Sequence, residues 1–203
     1  MTVHPRGRVS RHLQSSVAPG AILHLGAGRG DFVLGHPRPG RLVLISGGSG
    51  VTPAMSILRT LCDEGHRGEV TFVHYARTRA DWLYRPEVRA LAARHPGLRV
   101  AYVATREGGE RVSAETLERL AGGLEGAYAA VCGPPALIEA VRGVWAGLED
   151  GAARVLAETF TAPAPAPSAP LSVTGRAAHG TLHFLRADRG DGPARRAART
   201  YRA

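Results

Sequence analysis

The chain of 203 residues contains no lysine, only two cysteines, few aromatics (5%) and no acidic residue before Asp31. Without lysine the mononucleotide phosphate loop is excluded, because that loop needs a Lys ammonium to reach the phosphates. Cys62 and Cys132 make neither a disulfide framework nor a metal cluster, so no metal ligands and a reducing, cytoplasmic setting are expected. No apolar run approaches the roughly 18 residues that a membrane helix needs, so no membrane span is expected. The acid-free opening, MTVHPRGRVSRHLQSSV, has the look of a transit peptide. A second reading of it follows below.

What is present is a chain with 44% apolar residues, enough for a globular core. Every one of its 26 basic residues is Arg. Seven Arg against Asp188 and Asp191 lie between Arg176 and Ala203, so this tail carries +5 of the formal +9. Such a tail can bind phosphate backbones nonspecifically, but no recognition fold accompanies it and no specific nucleic-acid partner is expected.

The chain is organised around GRLVLISGGSGVTPAMSILRTL, Gly40 to Leu61. Leu42, Val43, Leu44 and Ile45 read as a strand buried on both faces of a parallel sheet. Gly47, Gly48 and Gly50 follow, around Ser49, where a missing Cβ allows positive φ and close approach of a ligand. Thr52 then fits an N-cap and Pro53 the first helical position, and Ala54, Ile57, Leu58 and Leu61 repeat with a helical period. A strand, a glycine turn and a helix in that order favour an anion at the helix start, a dinucleotide diphosphate above all. The usual dinucleotide fingerprint is incomplete: Gly48 and Gly50 supply its first two glycines, but Pro53 stands where the third would be.

From Arg41 to Phe160 strands and helices alternate, which predicts an α/β fold with a doubly wound five-stranded parallel sheet. After the opening unit the expected elements are strands at 70–75, 98–103, 128–131 and 154–157, and helices at about 82–94, 113–120 and 135–148. Ser113, with Glu115 in the first turn and Thr116 close by, caps the third helix. Ligands of such sheets bind at the carboxyl ends of the strands. Arg77 and Arg79 follow the second strand there, with Arg85 near. An acid would accept from a free ribose, whereas an Arg fork pairs with a 2′-phosphate, so NADPH is favoured over NADH. A solvated arginine is the other reading of each. TAPAPAPSAP, 161–170, is a semi-rigid polyproline linker. Beyond it Leu171 to Thr174 and Thr181 to Leu185 read as a hairpin.

Three blocks in order, GRVSRHL, GGSGVTP and VCGPP, followed by AETF, resemble the ferredoxin–NADP reductase superfamily, in the branch that carries a plant-type ferredoxin domain at its C-terminus. The resemblance implies that residues 1–39 are the end of a flavin-binding barrel, with Gly7, Val9 and Ser10 on the FAD pyrophosphate and strands at Ala21–Leu25 and Phe32–Leu34. It implies that 40–160 bind NAD(P)H, with Gly47 to Pro53 on the pyrophosphate. Cys132, Gly133 and Pro134 would then line the nicotinamide, and Glu158 and Phe160 would lie near the flavin's reactive edge. Cys132 would position the ring and not act as a nucleophile. Residues 171–203 would open the ferredoxin domain and then leave the family pattern. The 2Fe–2S centre needs four thiolates, which two cysteines cannot supply.

The expected function is therefore a flavin-dependent electron-transfer reductase, passing hydride from NADPH to FAD and electrons on to an oxygenase, desaturase or ferredoxin-type partner. Apparent truncation at both ends makes FAD binding weak or lost and the activity impaired. A catalytically inactive nucleotide-binding remnant, or a module completed by another chain, stays open beside it.

Overall fold

The branched apolar run ahead of the glycine cluster forms strand β1, Arg41–Gly47, buried from Leu42 onward. In this computed structural model the described residues are 7–18, 20–24 and 30–159, with the backbone of 173–177 and 180–184. They fall into two units, one holding residues 30–159 and the other holding the helix at residues 8–15 and the hairpin at 173–184.

In the first unit β1 is followed by α2, Val51–Asp63, then β2, Glu69–Ala76, and α3, Arg85–Ala92. Next come β3, Leu98–Ala104, α4, Ala114–Ala121, β4, Tyr128–Cys132, α5, Pro135–Ala146, and β5, Val155–Glu158. All pairings are parallel and the strand order is β3-β2-β1-β4-β5. The strand period of two divides the core between the faces of the sheet. Leu42, Leu44 and Phe72 pack with Met55, Leu58 and Val88 on one face, and Val43, Ile45 and Val73 with Leu117, Val141 and Trp145 on the other. Each such burial contributes about 1.5–3 kcal/mol before entropy is counted. Trp145 reaches this depth because its Nε1 donates to the Ala127 carbonyl at 2.9 Å.

Three local expectations are corrected. The helix expected from about Trp82 starts only at Arg85, because Tyr84 takes a left-handed conformation with φ 57° and interrupts the chain after a 3-10 turn at Arg79–Asp81. Thr52 is not an N-cap: Gly50 is, and the Thr52 hydroxyl donates to the Ser49 carbonyl at 3.1 Å. Pro53 is thus the third helical residue, where its missing N–H still costs no intrahelical bond.

The third correction concerns the segments expected as barrel strands. Residues 21–24 and 32–34 form no strand, since a strand exists through its partner and neither segment has one among the described residues. Phe32 and Leu34 instead pack against the α/β core. Arg38 holds this segment down, donating to the Leu34 carbonyl at 2.6 Å and forming a bidentate pair with Glu64 at 2.7 and 2.9 Å.

In the second unit GRVSRHL winds into helix α1, Arg8–Ser15. There β6, Val173–Ala177, pairs antiparallel with β7, Gly180–Phe184, close to the expected hairpin.

Candidate functional site

Strand order reverses at β1, whose neighbours are β2 on one side and β4 on the other, so a crevice opens at their carboxyl ends. Ser46 pairs in register with Cys132, which places the turn Gly47–Gly50 beside the turn Cys132–Pro134. Three of the glycines exist for this contact. A Cβ on Gly50 would lie 2.2 Å from the Cys132 carbonyl oxygen, one on Gly47 would lie 2.8 Å from Pro134 Cδ and Leu137 Cδ2, and one on Gly133 would lie 3.0 Å from the Gly47 amide nitrogen.

Gly48 differs. Its φ is +55° and a Cβ there would meet nothing within 4 Å, so it faces open space at the mouth of the crevice. A 3-10 turn, Gly48–Gly50, joins it to α2, which has no acidic residue in its first turn and no side-chain cap. The Val51 amide donates back to the Gly48 carbonyl, and the other amides of that turn with the helix dipole make a cradle for an anion, worth about 0.3–2 kcal/mol per negative charge. The residues present therefore fit the diphosphate of a pyridine dinucleotide.

Beneath the glycine turn, on the same face as α2, Ser46 Oγ and His74 Nδ1 lie 2.9 Å apart between β1 and β2, both fully buried. His74 Nε2 is buried without a partner of hydrogen-bonding geometry among the described residues. Burial pushes the His74 imidazole down to about 4, opposed by the backbone of Asp81 and Ser46, so it is neutral at pH 7.

Cys132 is also fully buried, and desolvation, helped by the charge of Glu158, raises its thiol to about 12. The group is a neutral thiol at pH 7, which suits packing against a ring and not nucleophilic attack. Glu158 stands opposite Cys132 in the β4–β5 register and is half-buried at the same edge. Cys62, half-buried on α2, packs against the core.

The arginines separate into distinct roles. Arg77 is exposed at the end of β2, and its side chain makes no hydrogen bond or ion pair among the described residues. Arg79 pairs with Glu107, Nε to Oε2 at 3.4 Å. Arg85 lies over the Trp82 ring at 4.9 Å and the Tyr102 ring at 6.0 Å, so it is engaged by the protein itself. The turn after β3 adds residues that the sequence reading missed. Arg106 N donates to the Arg77 carbonyl and Thr105 N to the Ala76 carbonyl, both at 2.9 Å, which brings exposed Arg106 beside Arg77. Thr105 and Arg106 follow the third apolar run as Arg77 follows the second, but only the pairing of β3 with β2 makes the two strand ends neighbours.

The residues expected to contact FAD form a turn of their own. Gly7, Val9 and Ser10 belong to the second unit, at the start of α1. There Gly7 N donates to Ser10 Oγ at 2.9 Å, that hydroxyl donates back to the Gly7 carbonyl at 3.1 Å, and Val9 is exposed. The Ser10 hydroxyl is thus engaged within its own turn. Phe160 lies outside the described residues. Among the described residues no cluster of His, Cys, Asp or Glu could hold a metal, and no helix is long and apolar enough to cross a membrane.

Comparison with known proteins agrees with this geometry. The profile of the oxidoreductase NAD-binding domain matches residues 44–143. Over 184 residues the chain is 35% identical to an NADPH oxidoreductase of Mycobacterium tuberculosis, covering 90% of this chain and 45% of that protein. Over 96 residues it is 46% identical to a flavohemoprotein of Chromobacterium violaceum, covering 47% of this chain and 24% of that one. The chain thus spans less than half the length of these relatives. Among solved structures, the flavohem-like FAD/NAD-binding domain of nitric oxide dioxygenase from Vibrio cholerae superposes with TM-score 0.58 at 28% identity, covering 77% of this chain and 65% of that domain. The Amycolatopsis cytochrome P450 reductase GcoB superposes with TM-score 0.57 at 29% identity, covering 67% and 43%. With an open glycine cradle at the switch point of a β3-β2-β1-β4-β5 parallel sheet, and these relatives, the chain belongs to the ferredoxin–NADP reductase superfamily and carries its NAD-binding domain.

Proposed function

We propose that this chain is the pyridine-nucleotide module of an NAD(P)H-dependent flavin oxidoreductase, taking NADPH in preference to NADH and serving electron transfer to a protein acceptor of the oxygenase, desaturase or P450 kind. One observation carries the reading: Gly48, at φ +55° with open space before it, opens the 3-10 turn that feeds the start of α2, which has no side-chain cap, at the switch point of the sheet. The amides of Gly48, Ser49, Gly50 and Thr52 bind the diphosphate, and Arg77 with Arg106 pairs with the 2′-phosphate by charge-assisted hydrogen bonds. Cys132, Gly133 and Pro134 hold the nicotinamide end. The Cys132 thiol stays protonated and gives the ring a soft apolar wall, while Glu158 faces the edge from β5. The reduced nicotinamide, when bound, supplies a hydride, and the residues of the chain orient it and move no proton of their own.

Calorimetric titration of the full chain with NADPH and NADH tests this. Binding of NADPH, tighter than NADH, is the expected result, and no heat or shift in melting point with either nucleotide defeats it.

A second reading, a nucleotide-binding module without its own flavin activity, draws on Ser10 being engaged within its own turn. Absorbance separates the two. A yellow protein that reduces ferricyanide with NADPH supports the reductase, and a colourless protein that binds NADPH supports the module.

A further inference from the structure

We propose that Glu107 sets the coenzyme preference of this site by acting as the counter-charge of Arg79, so that removing its carboxylate shifts binding toward NADPH. The inference rests on the reading of the Arg77–Arg106 end as the one that receives the 2′-phosphate.

Glu107 sits on a turn built to hold it in place. Glu107 N and Gly109 N both donate to the Ala104 carbonyl at 3.0 Å, and a Cβ on Gly109 would lie 2.7 Å from that same oxygen, so the turn closes tightly on the end of β3. The carboxylate reaches back across to the chain leaving β2. Oε2 of Glu107 accepts from the Arg79 amide at 3.3 Å and lies 3.4 Å from Arg79 Nε. Asp81 is occupied next to it, accepting from Thr78 N at 3.1 Å and from the Thr78 hydroxyl at 2.8 Å. Arg77, Arg79 and Arg106 thus converge on two adjacent strand ends, with Glu107 following Arg106 directly.

The two side chains of the pair are 71% and 39% exposed, which makes this ion pair weak and easily broken. A 2′-phosphate carries close to two negative charges where the carboxylate carries one, so it competes for Arg79. When Arg79 leaves, the bare carboxylate stays beside the phosphate and repels it. Toward NADH the same carboxylate is an asset, since it can accept from the ribose 2′-hydroxyl. Both effects act in one direction. Glu107 opposes Arg77 and Arg106 and brings the two coenzymes closer in affinity.

The test titrates the full chain and its Glu107→Gln and Arg79→Gln variants with NADPH and with NADH. Gln keeps the oxygen that accepts from the Arg79 amide, so the turn is preserved while the charge is removed. For E107Q the ratio of the NADH Kd to the NADPH Kd should rise by about threefold to tenfold, and the shift should shrink in high salt. For R79Q, which leaves Glu107 unopposed, the ratio should fall by at least about threefold. Binding of both nucleotides with ratios unchanged in either variant overturns the proposal while leaving the nucleotide site intact. Failure of the parent chain to bind either nucleotide defeats the site reading itself, and the proposal with it. Should E107Q not fold, the R79Q ratio decides alone.

Discussion

Gly50 and Cys132 meet backbone to backbone: a β-carbon on Gly50 would lie 2.2 Å from the Cys132 carbonyl oxygen. The obstacle is main chain of β4 and cannot rotate away, so a methyl group would push α2 off the sheet. We expect Gly50→Ala to cost about 2–3 kcal/mol and to lower the melting temperature by at least about 5 °C. Thermal denaturation followed by circular dichroism checks this. An unchanged melting temperature would show that the two turns are not in contact.

Gly48, two residues earlier, should respond in the opposite way. Nothing lies within 4 Å of its Cβ direction, so Gly48→Ala meets only the cost of holding an L-residue at φ +55°, about 1–2 kcal/mol. The fold should survive. The added methyl would stand at the mouth of the crevice, so NADPH and NADH affinity should both drop by about tenfold or more, a loss of about 1.4 kcal/mol of binding. Equal binding by G48A and the parent chain would place the diphosphate elsewhere.

This contrast also shows what could be read from the sequence and what could not. Leu42 to Ile45 announced a buried parallel strand because a short, unbroken branched apolar run ahead of a glycine turn fits a strand covered on both faces, and Ser113 announced a cap that the structure contains, with Thr116 N donating to its Oγ at 3.1 Å. The glycine cluster was ambiguous. Close approach of the neighbouring turn and close approach of a ligand demand the same missing Cβ, and two glycines of the cluster, Gly47 and Gly50, turn out to serve the first. Tyr84 gave no warning of its left-handed φ, since aromatic residues rarely adopt it, and so the start of α3 was placed too early. The apolar alternation at 21–25 carried a strand pattern without any local indication of a partner. Arg106 was hidden for a different reason: which strand end lies beside Arg77 is a property of topology, visible only once β3 is seen to pair with β2.

Arg106 and Arg77 should act together on the 2′-phosphate. Replacing Arg106 by Gln removes one charge-assisted contact of about 1.5–3 kcal/mol, so NADPH affinity should fall by about tenfold to a hundredfold while NADH affinity changes little. The double variant R77Q/R106Q should lose discrimination between the coenzymes. Isothermal titration with both nucleotides gives the answer, and a parallel loss for NADPH and NADH would move these arginines away from the phosphate.

His74 should make the domain sensitive to mild acid. Its imidazole is buried against Ser46 and Tyr102, and burial depresses it from 6.5 to about 4. Between those values the unfolded chain binds a proton that the folded chain refuses, so stability is full above about pH 6.5 and declines as the pH falls, until the folded group also titrates near 4. The shift corresponds to about 3 kcal/mol lost across that window. Glu64 and Glu87, held below the ordinary carboxylate value of 4.5 by hydrogen bonds from Arg38 and Arg59, also lose stability in acid, but only below that value. Urea denaturation at pH 7.5, 6.5, 5.5 and 4.5 should therefore show a steady loss in the parent chain that is flattened in His74→Gln and His74→Phe. A parent chain equally stable at pH 6.5 and 4.5 would mean that the imidazole protonates in place, with water reaching the unpartnered Nε2.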